Sequence, residues 1–360
     1  MRKTPLADHL GKAFPRLGAF AGWEMPLFFS SAAEEHLAVR QSAGIFDISH
    51  MGQVFCEGLD AADFLNRNLT NDVSKLKIRR SHYSFLLNES GGVIDDLLLY
   101  RLSKDSFFII FNSSKVDEAL ALLQPKTANA DVNITQRLDH IGLALQGPHI
   151  AKLAPELIGT TVPEKRNHLI SPSADRSKFD PADTIIATTG YTGEHGFEWF
   201  GPAEEGIALW NKALSLDVAP CGLVARDSLR LEAGLPLNGQ DLSPAHTPNA
   251  AGLNFAVKLN KEPTFPGKSA HLSQQTAPPA QQLHGFTLNG PGPIPRTGQT
   301  IHASDGQLIA TVSSGGRPPT QKQGIGLAWF DTNFLASPSE AHLLVREKSF
   351  PISLKKTPFT

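Results

Sequence analysis

Two adjacent acids, Asp95 and Asp96, follow Gly91-Gly92-Val93-Ile94 and precede the run Leu97-Leu98-Leu99-Tyr100. Successive strand residues point to opposite faces, so the two carboxylates occupy different environments. One faces water or caps the glycine turn, and the other points toward whatever the leucines pack against. A carboxylate aimed at an apolar layer is costly without a partner, which makes one of the pair a candidate for proton transfer or charge stabilisation. The plainer alternative is two ordinary acids at the head of a strand, and spacing does not choose between the readings. A second polar concentration is Gly190-Tyr191-Thr192-Gly193-Glu194-His195-Gly196-Phe197-Glu198-Trp199. Its glycines permit a tight turn or close approach to a ligand. A strand over 196–200 places Phe197 and Trp199 on one face and Glu198 on the other. The spacing is not a dinucleotide fingerprint, because GxGxxG is absent and the loop leads into a strand. Arg226, near the start of a helical stretch, opposes the helix dipole and therefore implies an anion or carboxylate partner. His50 beside Met51 is a further candidate, with a buried structural histidine as the simpler account.

The elements that must hold these residues are legible from periodicity. A helix is expected over 31–43, with Glu34-Glu35 in its first turn and Gly44 ending it. A second helix covers 59–69. The stretch Ile45–Phe55 reads as a strand with a polar insertion. Tyr83–Leu87, the Asn88–Gly92 turn and Ile94–Leu102 form a hairpin carrying the two aspartates. Phe107–Phe111 is a third strand, and Asn112-Ser113-Ser114 reads as the cap of a helix over 115–124. Further helices are expected near 149–157 and 203–214, and strands at 141–144, 185–189 and 255–259. Residues 261–280 read as a linker. Short apolar segments at 282–288, 299–303, 307–312, 324–330 and 342–354, punctuated by Gly and Pro, suggest a small all-β domain.

Bulk composition narrows the function classes. The 360 residues suggest two or three domains. The 41% hydrophobic and 19% charged content is that of a globular protein, and the net charge of −2 gives no pull toward nucleic acid or an acidic membrane. Cys56 and Cys221 stand far apart without ligand spacing, arguing against structural zinc and a disulfide framework. No apolar run approaches the roughly 18 residues that span a bilayer, and the start lacks an apolar signal core. A cytoplasmic setting is expected.

Taken in order, Thr4-Pro5-Leu6, Ala21–Pro26, Phe46–Gly52, Gly91–Asp96, Gln146-Gly147-Pro148, Thr189–Glu198, Gly222–Ala233, Gly239-Gln240-Asp241, Ser313–Gly316 and Gly324–Ala328 resemble the T-protein family of the glycine cleavage system. The likeness runs along essentially the whole chain. It implies an α+β protein whose three domains form a clover leaf around a central folate site, the C-terminal one an all-β barrel. The implied divisions are 1–53 plus 137–245, 54–136 plus part of 246–275 with Asp96, and 276–360. The implied activity is tetrahydrofolate-dependent aminomethyl transfer from the lipoyl arm of H-protein, releasing ammonia, with functional links to P-protein and L-protein. Carried over by motif, Asp96 is the catalytic carboxylate and the inward one of the pair, leaving Asp95 to the turn or solvent side. Glu198 would read the pterin edge and Arg226 would contact folate. Met51, Tyr83, Asn112 and Tyr191 would line the pocket. No metal, nucleic acid or membrane enters this scheme. Asn238 and Thr360 stand where the family usually has tyrosines, Thr188 where it has arginine, and Arg317-Pro318-Pro319-Thr320 where it has Ser-Pro-Thr-Leu. A related folate-dependent demethylase is one alternative. A folate-binding accessory protein is another, disfavoured by the lack of a cysteine in Pro236–Asp241.

Overall fold

The structure is a computed structural model that describes residues 1–11, 16–170 and 184–359; Thr360 lies outside them. The chain divides into two compact units, one of Met1–Leu86, Asp95–Arg226 and Lys261–Phe265, the other of Leu87–Ile94, Asp227–Asn260 and Pro266–Thr360.

Two main sheets organise the first unit. The six-stranded sheet runs Leu169–Ile170, Ile185–Ala187, Gly196–Pro202, His140–Gln146, Gly44–Asp47, Ala219–Cys221, in that spatial order. Its core gathers Ile45, Ile141, Leu143, Leu145, Phe197 and Trp210. The helix Ala203–Ser215 lies on it through Leu209, Trp210 and Ala213, and Gly206 packs so closely that a Cβ there would stand 2.9 Å from Ile141. The second sheet has the order Arg80–Leu87, Val93–Arg101, Ser106–Phe111, Gly52–Glu57, Asn133–Arg137. The expected single strand over Ile45–Phe55 is thus two strands in different sheets, with the bend at Ser49–Met51 carrying the chain across. The polar residues that looked like an insertion are the crossover.

The helix at Ala32–Gln41 ends before Gly44, capped at Ser42, and Gly44 instead opens a strand. A Cβ at Gly44 would meet Val39 at 2.5 Å and Cys221 at 2.8 Å, so close packing explains this glycine. Lys261 is 4% exposed and donates from Nζ to the carbonyls of Asn66 (2.5 Å), Asn71 (3.0 Å) and Leu69. Three carbonyl dipoles offset the loss of water around a buried ammonium.

The second unit contains a closed six-stranded barrel in the order Gln281–Leu288, Ile325–Asp331, Leu308–Gly316, Thr300–Ala303, Ala341–Val345, Lys348–Lys355. Closure leaves no unpaired edge. Phe286, Ile301, Val312, Phe330 and Leu343 fill its interior. The expected strand at 342–354 is two strands, 341–345 and 348–355. Two other expectations change. No strand forms over Phe255–Leu259, whose first two residues belong to a 3-10 turn, Asn254–Ala256. The supposed linker at 261–280 contains the helix Lys268–Ser273. Pro263, Pro266 and the Gln/Ser run gave it a linker's composition, yet His271 on that helix is buried. Beside the barrel, Arg230, Asp241 and Ser314 form a buried polar cluster. Arg230 donates to Asp241 Oδ2 at 2.8 Å and to Ser314 Oγ at 2.9 Å, and Leu237 N and Ser314 Oγ donate to the same Oδ2. The Gly-Gln-Asp and Ser313–Gly316 motifs meet here, in a structural knot.

Candidate active site

Asp95 and Asp96 lie on opposite faces of the strand Val93–Arg101, but burial reverses the expected assignment. Asp95 is fully buried, on the face shared by Leu97 and Leu99, and Asp96 is half-buried. The inward carboxylate is Asp95. Its cost is met by Asn112, whose backbone N–H donates to Asp95 Oδ2 at 3.0 Å and whose Nδ2 donates to Oδ1 at 2.7 Å. Burial, then the neighbouring Asp96 charge, push the Asp95 carboxyl well above the usual range, with the Asn112 hydrogen bonds opposing.

Asn112 also fixes Asp96. Its Nδ2 reaches Asp96 Oδ1 at 3.0 Å and the Asp96 carbonyl at 2.9 Å. The neighbouring strands pair Leu98 with Ile110, and extending that register by two residues sets Asn112 opposite Asp96. The helix Val116–Leu123 has no side-chain cap hydrogen bond, so the expected capping role of Asn112 is replaced by this one. Tyr83 OH donates to Asp96 Oδ2 at 2.7 Å, which completes the grip on both carboxylate oxygens. Tyr83 is braced edge-on against Phe85 at 5.0 Å, and burial together with the Asp96 charge raises its phenol.

Glu198 belongs to Gly196–Pro202, where Phe197 and Trp199 fill the opposite core. Thr189 Oγ1 donates to Glu198 Oε2 at 2.5 Å, and Tyr100 OH reaches the same oxygen at 3.4 Å and Thr189 Oγ1 at 3.0 Å. Among the described residues no hydrogen bond reaches Oε1. Burial raises the Glu198 carboxyl, opposed by the Thr189 hydrogen bond and the Arg226 charge. Tyr100 and Thr189 were missed as functional residues. The signal for Tyr100 was its place four residues after Asp96, on the same strand face.

Arg226 stands on the helix Leu223–Glu232 with its guanidinium 5.0 Å above the Tyr191 ring, a cation–π arrangement. Its Nη1 is buried with no hydrogen-bond partner. The helix start is held by Glu35, a buried carboxylate that accepts from Phe29 N (2.6 Å), Ser30 N (3.0 Å) and Gly222 N (2.8 Å). Gly222 is required there, since a Cβ would fall 2.3 Å from the Leu27 carbonyl oxygen. The Tyr191 loop is pinned by Gln146, which donates to Thr189 O (3.1 Å) and accepts from Thr192 Oγ1 (2.9 Å), and by Arg40, which reaches Thr192 O at 2.7 Å and Glu194 at 2.9 Å.

His50, at the crossover between sheets, is buried, with burial and the Arg226 charge pushing it down to about 3. It is a neutral imidazole, edge-on to Phe20 at 5.5 Å. Met51 beside it is half-buried and lines a cavity together with His50, Ser113 and Arg137. The structure therefore forms two described clusters, Asp95–Asp96–Tyr83–Asn112 and Tyr100–Thr189–Glu198 with Arg226 and Tyr191. Asn238 and Arg226 belong to different units. Among the described residues no group of three or more His, Cys, Asp or Glu is placed to hold a metal ion, and no helix is long and apolar enough to cross a membrane. Chemically, the first cluster presents a rigid carboxylate with both oxygens engaged by donors. The second presents an acceptor beside a cation and a flat ring.

Comparison with known proteins extends this reading. Residues 6–261 match the family model of the GCVT N-terminal domain, and 281–360 that of the glycine cleavage T-protein C-terminal barrel domain. The chain is 37% identical over 375 residues to an aminomethyltransferase of Bacillus mycoides (strain KBAB4), covering 100% of this chain and 98% of the relative. It is 38% identical over 364 residues to one of Geobacillus thermodenitrificans (strain NG80-2), with the same coverage. Among solved structures, the glycine cleavage system aminomethyltransferase T of Bartonella henselae superposes with a TM-score of 0.91 at 34% identity, covering 100% of this chain and 98% of that one.

Proposed function

The chain belongs to the glycine cleavage T-protein family, and from that premise we propose that it is the aminomethyltransferase that moves the methylene carbon of aminomethyl-lipoyl H-protein to tetrahydrofolate, releasing ammonia. The observation that carries this is the pairing of an open acceptor, Glu198 Oε1, with the partnerless Nη1 of Arg226 over Tyr191. A pterin presents an amide–amidine edge rich in donors beside acceptors. A carboxylate accepts from such donors and a guanidinium donates to the acceptors. The residues fit the group.

Bound tetrahydrofolate supplies a nucleophilic amine for the transferred carbon. Glu198 and Arg226 orient it, with Thr189 and Tyr100 holding Glu198 so that one oxygen remains free. As the carbon bonds to that amine, its bonds to its own nitrogen and to the lipoyl sulfur break to give ammonia and the reduced lipoyl thiol; Asp96 accepts the proton the amine sheds, and it faces the positive charge that develops on the carbon. Tyr83 and Asn112 fix its two oxygens, so no reorganisation is needed when the charge appears. Asp95 orients Asn112 from behind. Met51, Tyr83, Asn112 and Tyr191 complete our assignment of folate-contacting positions. P-protein and L-protein would act before and after this step, and the cytoplasm is the proposed setting.

The test is ammonia release from purified protein supplied with tetrahydrofolate and aminomethyl-loaded H-protein. We expect turnover that requires both. Release independent of tetrahydrofolate, or none with either, refutes the assignment.

A further inference from the structure

Tyr83 is held by its backbone as well as by its hydroxyl. It lies on Arg80–Leu87, the outermost strand of the five-stranded sheet. An outermost strand presents a row of backbone groups that no further strand pairs. Residues 69–71 take that place here. Thr70 N donates to Phe85 O at 3.1 Å, Phe85 N donates to Thr70 Oγ1 at 3.0 Å, and Asn71 Nδ2 donates to the Tyr83 carbonyl at 2.8 Å.

These three residues follow the helix Ala61–Asn68, and the last carbonyls of a helix have no partner within it. Lys261 supplies one. Its buried ammonium donates to the carbonyls of Asn66 and Leu69, to Asn66 Oδ1 at 3.2 Å and to the Asn71 carbonyl at 3.0 Å. A positive charge at a helix C-terminus also complements the dipole. The ammonium sits over the Phe265 ring at 4.9 Å, and Asn66 Nδ2 donates to Glu262 O at 2.9 Å. Lys261–Phe265 belong to the first unit although the chain on either side belongs to the second.

Asn71 joins the two halves. Its carbonyl accepts from Lys261, its Oδ1 accepts from Asp72 N at 2.8 Å, and Nδ2 is thereby turned to Tyr83. The Tyr83 hydroxyl then donates to Asp96 Oδ2 at 2.7 Å. A tyrosine side chain has two torsions, so a shift of its backbone is passed on to its hydroxyl. We propose that Lys261 is a positioning residue for the reaction: through Asn71 it fixes the place of Tyr83, and so the hydrogen bond that orients the Asp96 carboxylate. This rests on the role given to Asp96 under the transferase reading. A helix cap and nothing more would lower stability when lost and leave Tyr83 where it is.

The test joins a measurement that needs no turnover to one that does. Full-length protein is made with 3-fluorotyrosine at its three tyrosines, and the Tyr83 fluorine resonance is assigned by its loss in Tyr83→Phe. In Lys261→Met that resonance should move while those of Tyr100 and Tyr191 stay. Asn71→Ala should do the same, and it leaves the carbonyls around the ammonium in place should Lys261→Met fail to fold. In single turnover with loaded H-protein, each variant should react about tenfold to a hundredfold more slowly, with folate affinity by calorimetry falling less than the rate does. In a Tyr83→Phe background the same substitutions should cost less than about twofold, because the path is already cut. An unmoved Tyr83 resonance, all three resonances moving together, an undiminished loss in the Tyr83→Phe background, or failure of both variants to fold would overturn the proposal. A selective Tyr83 shift in a protein whose unaltered form shows no turnover would instead refute the transferase reading alone.

Discussion

Asp96→Asn is the substitution that separates chemistry from architecture. It conserves shape, and the surrounding hydrogen bonds dictate how the new amide sits. Asn112 Nδ2 is committed as a donor by Asp95 at 2.7 Å, so it must keep an acceptor at 3.0 Å, and the amide oxygen turns toward it. The amide nitrogen then faces Tyr83 OH, whose hydroxyl can rotate from donor to acceptor. Both contacts survive, at a cost of about 1 kcal/mol for exchanging charge-assisted bonds for neutral ones. Lost is the capacity to accept a proton and to face positive charge. General acid–base help contributes about 10²–10⁴ in rate, which corresponds to about 3–5 kcal/mol of barrier. The assay is single-turnover formation of methylenetetrahydrofolate from loaded H-protein, with folate affinity by calorimetry alongside. The variant should bind folate within threefold of the parent and react at least a hundredfold more slowly. A rate within threefold of the parent removes Asp96 from the chemistry. An equal fall in affinity and rate would make it a binding residue instead.

Other outcomes follow from neighbouring groups. Glu198→Ala removes an ionised acceptor worth about 1.5–3 kcal/mol, so folate affinity should fall about tenfold to a hundredfold in calorimetry; an unchanged Kd contradicts its pterin role. His50 is held neutral, pushed down to about 3 from 6.5. The unfolded chain therefore binds a proton below pH 6.5 that the folded protein refuses, and stability is lost as pH falls from 6.5 toward 3, by about 1.4 kcal/mol per pH unit. Urea unfolding at pH 6.5 and pH 5 should lose about 2 kcal/mol less in His50→Gln than in the parent, and equal losses would show that His50 is not the source. Asp241→Ala removes the buried one of the two carboxylates that hold Arg230, leaving the exposed Asp227 at 2.8 Å as its ion-pair partner, and strips Leu237 N and Ser314 Oγ of their acceptor; a loss of about 2–4 kcal/mol is expected, and a shift below 1 kcal/mol in denaturant unfolding would contradict the structural role given to that cluster.

Much of the fold was legible because periodicity is a local property. The helices at 32–41, 61–68 and 203–215 and the barrel strands each carry their own apolar pattern. Glu198 was placed correctly opposite Phe197 and Trp199 because alternation needs no knowledge of distant chain. Failures occurred where a residue's role depends on what lies across from it. Asn112 looked like a cap because Asn-Ser-Ser before a helix usually is one, and its partners Asp95 and Asp96 are set by strand pairing. The choice between Asp95 and Asp96 went the wrong way for burial. Alternation separates two neighbours but does not say which face is covered. Thr189 and Tyr100 escaped notice for the same reason, since they meet only across adjoining sheets.

Glu35 makes a different kind of statement about this protein. One carboxylate ties two backbone amides at 29–30 to the amide of Gly222, at the head of the helix that presents Arg226. Positions 35 and 222 therefore form one unit of heredity although they lie far apart in the gene. A lineage that loses the acid must rebuild the turn, or lose its grip on the guanidinium. A genetic screen for weakened folate use would recover changes at Glu35 alongside changes at Arg226 itself, and a mutational map drawn by distance from the substrate would miss them.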